Sequence, residues 1–84
     1  MLYKCEVNIR PRQDILDPQG DAVEKALTHL GFAGVGEVKV GRYLTLLLEA
    51  DGPEAARSEL DEMCRKLLAN PITEDYEAHV EAAG

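Results

Sequence analysis

Eighty-four residues make one domain, and a chain this short hides only roughly 60–65% of the surface it exposes when unfolded. Its composition, 45% hydrophobic and 30% charged, is that of a folding domain rather than a disordered one. The formal charge of −7 opposes phosphate backbones, so nucleic acid is excluded as a general partner. No run of about 18 apolar residues is present to cross a membrane as a helix.

The first residues enter alternating sequence at once, without the layout of a signal peptide, and a cytoplasmic protein is expected. Tyr3, Cys5, Val7 and Ile9 alternate with Lys4, Glu6, Asn8 and Arg10. That period of two predicts a strand with one buried face, ended by Pro11, which lacks a ladder donor.

Residues 17–31 predict a helix. Asp17 suits the N-cap, Pro18 the first helical position, and Gly31 a left-handed stop. Ala22, Val23, Ala26, Leu27 and Leu30 fall on one stripe. Gly20 in the first turn costs about 1 kcal/mol of helix propensity relative to alanine.

Residues 35–49 are the informative stretch. Val38 and Val40 alternate with Glu37 and Lys39; Gly41-Arg42 intervenes; then Tyr43-Leu44-Thr45-Leu46-Leu47-Leu48-Glu49 is apolar in places on both faces. Two-faced burial is hard to arrange in so small a domain, and a partner chain is the simplest cover. Two readings stand. Gly41-Arg42 as a type II′ hairpin gives a ferredoxin-like βαββαβ plait. One long strand over 36–49, bent at Gly41, gives halves completed by a second chain. The long bent strand is preferred, for its two-faced leucines and for the family resemblance described below.

Asp51-Gly52-Pro53 opens a second helix, and Asn70-Pro71 stops it. Its core stripe is read as Ala56, Leu60, Met63, Cys64, Leu67 and Leu68. A final strand is expected over about 75–80, with residues 81–84 frayed. The fold class is therefore α+β, a small two-layer plait spanning residues 1–84.

Chemistry is sparse. Ser58 has no local partner, and no histidine stands with it or with a cysteine in a supported arrangement. His29 lies where a helix C-terminus favours positive charge, and His79 alternates onto an exposed face. Cys5 and Cys64 lack zinc-site spacing, and Cys64 falls on an apolar stripe where a structural thiol outweighs a nucleophile. Glu74, Asp75 and Glu77 read as solvated surface. Asp17-Pro18-Gln19-Gly20 could cradle an anion, but it fits neither a P-loop nor a dinucleotide fingerprint. No catalytic, cofactor-binding or metal-ligating residue is assigned.

Ile15-Leu16-Asp17-Pro18-Gln19-Gly20, Val38-Lys39-Val40-Gly41-Arg42-Tyr43, Met63-Cys64-Arg65-Lys66-Leu67-Leu68-Ala69-Asn70-Pro71 and Glu74-Asp75-Tyr76 come in an order that resembles the PurS family. The resemblance spans essentially the whole chain. It departs only near 32–36 and 51–55, both loop-like. It implies a non-catalytic subunit of phosphoribosylformylglycinamidine synthase, joining a glutaminase subunit to a large synthetase subunit in purine biosynthesis, with a plausible part in ammonia transfer. It also implies a homodimer or homotetramer. Tyr43, Leu44, Leu46, Leu47 and Leu48 are the self-association candidates; Arg10, Arg12, Arg42 and Lys66 are the candidates for docking the other subunits. The rival readings are a regulatory domain binding a metabolite at a dimer interface and a stand-alone plait enzyme. Missing acid–base pairs and nucleophiles count against the enzyme.

Overall fold

The alternating N-terminal residues form β1 (Leu2–Pro11), the central strand of a three-stranded antiparallel sheet. The computed structural model describes residues 1–83. On one side of β1 lies β2 (Arg42–Glu49), with Ile9 opposite Arg42 and Tyr3 opposite Leu48. On the other lies β3 (Glu74–Ala82), with Ile9 opposite Tyr76 and Cys5 opposite Val80. Directly opposed residues share a face. Tyr3, Cys5, Val7 and Ile9 therefore stand with Leu44, Leu46 and Leu48 and with Tyr76 and Val80 on the core face. Asn8, Tyr43, Leu47 and Glu77 stand on the other.

The core face is covered by α2 (Pro53–Met63), whose Ala56 and Leu60 are fully buried against it. Gly52 is its N-cap and Pro53 opens its first turn. The helix widens into a π-helical turn at Cys64–Leu68, closed by the Ala69 N–H donating to the Cys64 carbonyl at 3.0 Å. The sequence stripe assumed 3.6 residues per turn throughout. The wider turn breaks that period, so Cys64 and Ala69 are buried while Leu67 is 82% exposed.

The first helix in sequence order, α1 (Pro18–His29), starts and stops where its signals predict, with Asp17 at the N-cap position but its side chain making no capping bond. It ends in a Schellman motif: Gly31 N–H meets the Thr28 carbonyl and Phe32 N–H the Leu27 carbonyl, both at 3.0 Å, with Gly31 at φ 100°. Its packing does not follow its sequence stripe. Only Gly20 is buried on this helix, and none of its apolar residues joins the core cluster. Val23 is 40% exposed and Leu30 74%. The helix stands off the sheet it would cover in a closed plait.

Residues 36–41 carry no ladder, so β2 is shorter than the expected long strand over 36–49. The segment is not the first arm of a hairpin either. It lies along α1 instead: the Val40 N–H donates to Asp17 Oδ2 at 2.8 Å, and the Val38 N–H to Glu24 Oε1 at 3.4 Å. At the other end of the chain the final strand is longer than expected. Glu81 and Ala82 pair with Lys4 and Tyr3, and the Ala83 N–H reaches the Leu2 carbonyl at 2.9 Å. The expected fraying of 81–83 is replaced by pairing, because the start of β1 offers these residues a partner; Gly84 lies outside the described residues.

The result is an extended body. Its radius of gyration is 16.5 Å and its extents are 51 × 28 × 15 Å, against about 12 Å for a compact chain of this length. It exposes 6077 Å², about 1,100 Å² more than the ~4,900 Å² expected of a folded monomer of its mass.

Candidate functional site

The self-association candidates lie on one strand but face two ways. Leu44, Leu46 and Leu48 are half-buried on the core face, packed at the margin of the cluster built by β1 and α2. The cluster's helical members all come from α2 and the turn after it, so among the described residues no second helix lies above β2. Tyr43 and Leu47 project from the opposite face, 60% and 64% exposed. The outer edge of β2 is unpaired, since β1 occupies only its inner edge. Three open surfaces thus meet at β2: the half-covered leucine row, the exposed Tyr43–Leu47 row and a free backbone edge.

The basic candidates divide as well. Arg10, Arg12 and Arg42 gather at one end of the sheet, each facing an acidic residue of β3. Arg10 Nη2 lies 2.9 Å from Glu77 Oε1, Arg12 Nε 3.3 Å from Asp75 Oδ1, and Arg42 Nη2 2.6 Å from Glu74 Oε1. Arg12 also donates to the Pro71 carbonyl at 2.9 Å. Glu74 is the least exposed of these carboxylates at 19%, and its Oε1 accepts the Asn70 N–H at 2.8 Å as well. Arg42 and Glu74 therefore fasten β2 to the turn that leads into β3. Lys66 stays on the outer surface of the π-helical turn, paired with Glu62 at 2.7 Å, and draws that carboxyl below the usual range. The Arg10–Glu77 and Arg12–Asp75 pairs, exposed on both sides, contribute about 0–1 kcal/mol each and leave these two arginines available to exchange partners.

Two features escaped the sequence reading. The run Glu74, Asp75, Glu77 is the counter-row to the three arginines; the signal was the shared alternation of β1 and β3, which only a register could align. Tyr76 donates its hydroxyl to Asp61 Oδ1, joining β3 to α2, and this bond holds the phenol above its ordinary pKa. Burial raises both thiols, and the nearby Asp61 carboxylate adds to the rise at Cys64. A raised thiol is a poor nucleophile at neutral pH, which fits both cysteines as packing residues.

Glycine fixes two close approaches. A β-carbon on Gly20 would collide with the Val38 carbonyl, and one on Gly41 with the Ile9 carbonyl. The helix propensity lost at Gly20 thus allows residues 37–40 to lie against α1. Gly41 sits where the chain enters the sheet beside β1.

The chain is thus a small α+β domain with one helix docked on its three-stranded sheet, one helix off the sheet and an unpaired edge along β2. The chain belongs to the PurS family, the phosphoribosylformylglycinamidine (FGAM) synthase family whose model matches residues 4–82. It is 40% identical over 80 residues to the FGAM synthase subunit PurS of Methanocaldococcus jannaschii, covering 95% of this chain and 96% of that one. It is 39% identical to the Bacillus subtilis PurS subunit, covering 95% of this chain and 94% of the relative. The B. subtilis PurS crystal structure superposes with a TM-score of 0.83 at 38% identity, covering 95% and 99% of the two chains. A chain in the structure of PurLQS from Thermotoga maritima superposes with a TM-score of 0.84 at 28% identity, covering 96% and 99%.

Proposed function

We propose that this protein is the PurS subunit of an FGAM synthase, serving purine biosynthesis in the cytoplasm as a structural bridge. The observation that carries the reading is whole-length family membership joined to an unfinished monomer. Near 40% identity runs over nearly the full length of relatives named PurS subunit. The fold likewise matches a chain of PurLQS, a complex containing PurS. In this reading the chain joins a glutaminase subunit to the large synthetase subunit, which together make FGAM from its formylglycinamide precursor, ATP and glutamine. The end of the sheet carrying Arg10, Arg12 and Arg42, with Lys66 beyond it, is the surface offered to those subunits. Arg10 and Arg12, exposed and paired with exposed carboxylates, can trade one carboxylate for another at low cost.

Before it bridges, the chain pairs with itself. The helix missing above Leu44, Leu46 and Leu48 is α1 of a second copy, and the second copy's sheet in turn receives the first chain's α1. The excess exposure of about 1,100 Å² per chain doubles to about 2,200 Å² in a symmetric pair, above the ~1,000 Å² a specific interface needs. Tyr43 and Leu47, on the other face, are then free to join two pairs into a tetramer.

Reconstitution tests the bridging role. Purified glutaminase and synthetase subunits, mixed with and without this chain, are followed for assembly by sedimentation and for glutamine-dependent FGAM formation. Assembly and turnover that both require the chain are expected; omission without effect on either contradicts the reading.

A further inference from the structure

The contacts between α1 and residues 38–40 have a regular pattern. Asp17, Gly20 and Glu24 are spaced i, i+3, i+7, one face of a helix over two turns. Val38 and Val40 are spaced i, i+2, the repeat of an extended chain whose peptide groups face alternate sides. Asp17 Oδ2 accepts the Val40 N–H at 2.8 Å, and Glu24 Oε1 accepts the Val38 N–H at 3.4 Å. Between them the Val38 carbonyl passes so close to Gly20 that a β-carbon there would strike it. The side chain of Lys39 reaches the Ile15 carbonyl at 3.2 Å, tying the segment to the residues before the helix. The backbone N–H and C=O of Lys39 meet no backbone partner among the described residues.

We propose that Asp17 and Glu24 are positioning residues for assembly: their carboxylates stand in for a neighbouring strand along one edge of residues 38–40. The segment is thereby held extended, and only its opposite edge, carrying the Lys39 peptide groups, is open to pairing with a second copy. This half rests on the self-association reading given under Proposed function. The first half does not, because both carboxylate contacts lie within one chain. These contacts tie the segment to α1, and the chain links both to the sheet through residues 12–16 and Gly41, so whatever seats α1 on the second copy also delivers the segment's free edge in a fixed register.

Site-resolved amide hydrogen exchange on the intact protein separates the two halves. In Asp17→Ala the Val40 amide is expected to exchange about tenfold faster or more, the scale of a lost charge-assisted hydrogen bond. Core amides such as that of Val7 stay unchanged, and Asp17→Asn, which keeps an acceptor oxygen, restores most of the protection. Glu24→Ala, on a helix surface where folding is not at stake, is expected to free Val38 and spare Val40. Unchanged exchange at Val40 in Asp17→Ala and at Val38 in Glu24→Ala overturns the positioning role. Sedimentation of the same variants reads the second half: Asp17→Ala and Glu24→Ala shift toward the lighter species if the held edge serves pairing. A wild type that is already monomeric overturns self-association and leaves the exchange result to judge the carboxylates alone.

Discussion

At the scale of single residues, three positions carry constraints that their chemistry alone explains. Gly41 enters the sheet against the Ile9 carbonyl. Gly41→Ala therefore forces backbone apart and is expected to lower unfolding free energy by about 1–3 kcal/mol, the range of overpacking, read as a drop in urea midpoint. Glu37 sits at φ 53°, in the left-handed region that costs a side-chain-bearing residue roughly 1–2 kcal/mol. Glu37→Gly should raise the urea midpoint slightly, since relief of that cost outweighs the roughly 0.5–1 kcal/mol of extra chain entropy glycine loses on folding. Asp17 is held below the usual carboxylate pKa, first by the Val40 N–H, then by the Gly20 amide, with the Gln19 amide and the Lys39 charge adding to it. A depressed folded-state pKa gives stability that is complete above the unfolded value, near 4, and is lost as pH falls through the lower folded value. The Val40 amide resonance should therefore hold its shift from neutral pH down to about 4 and move only below it.

At the scale of elements, β1, β3 and α2 make the core, β2 lies at its margin and α1 stands outside it. Leu60, fully buried between α2 and the sheet, marks the core. Leu60→Ala is expected to cost about 2–5 kcal/mol, whereas Leu67→Ser on the π-helical turn should stay within about 0.5 kcal/mol, both read by denaturant titration. Leu46 and Leu47 differ by one residue and by one face. Leu46→Asp puts a carboxylate beside Cys5 on the core face and is expected to give lighter or unfolded protein. Leu47→Asp leaves circular dichroism unchanged. Sedimentation with circular dichroism separates the two, and equal behaviour would contradict the assignment of faces. Much of this was legible in sequence. The alternation at Tyr3–Ile9, the caps Pro18 and Pro53 and the stop at Gly31 all act locally, so composition and period reveal them. The exposure of Leu67 was not legible, because a π-helical turn is set by one hydrogen bond with no residue signature. The standing-off of α1 was not legible either. Its stripe of Ala22, Val23, Ala26, Leu27 and Leu30 states that a face is to be buried, not whose sheet will bury it.

At the scale of the whole molecule, the same leucine-rich strand that suggested a partner is the one left without a helix above it. Alternation already divided these residues between two faces; register adds that Leu44, Leu46 and Leu48 hold the core face and Tyr43 and Leu47 the open one. The arginines and the acidic run of β3 were likewise visible as types, while their pairing required the alignment of residues far apart in the chain, 67 positions for Arg10 and Glu77 and 32 for Arg42 and Glu74. The proposed function rests on one physical statement: a single chain is not a finished body. Sedimentation equilibrium of the purified protein at micromolar concentration measures this directly. A particle of about 18 kDa, twice the 9.2 kDa chain, or an even multiple of the chain, is the predicted result. A natively folded species that stays at 9.2 kDa across that range would contradict it.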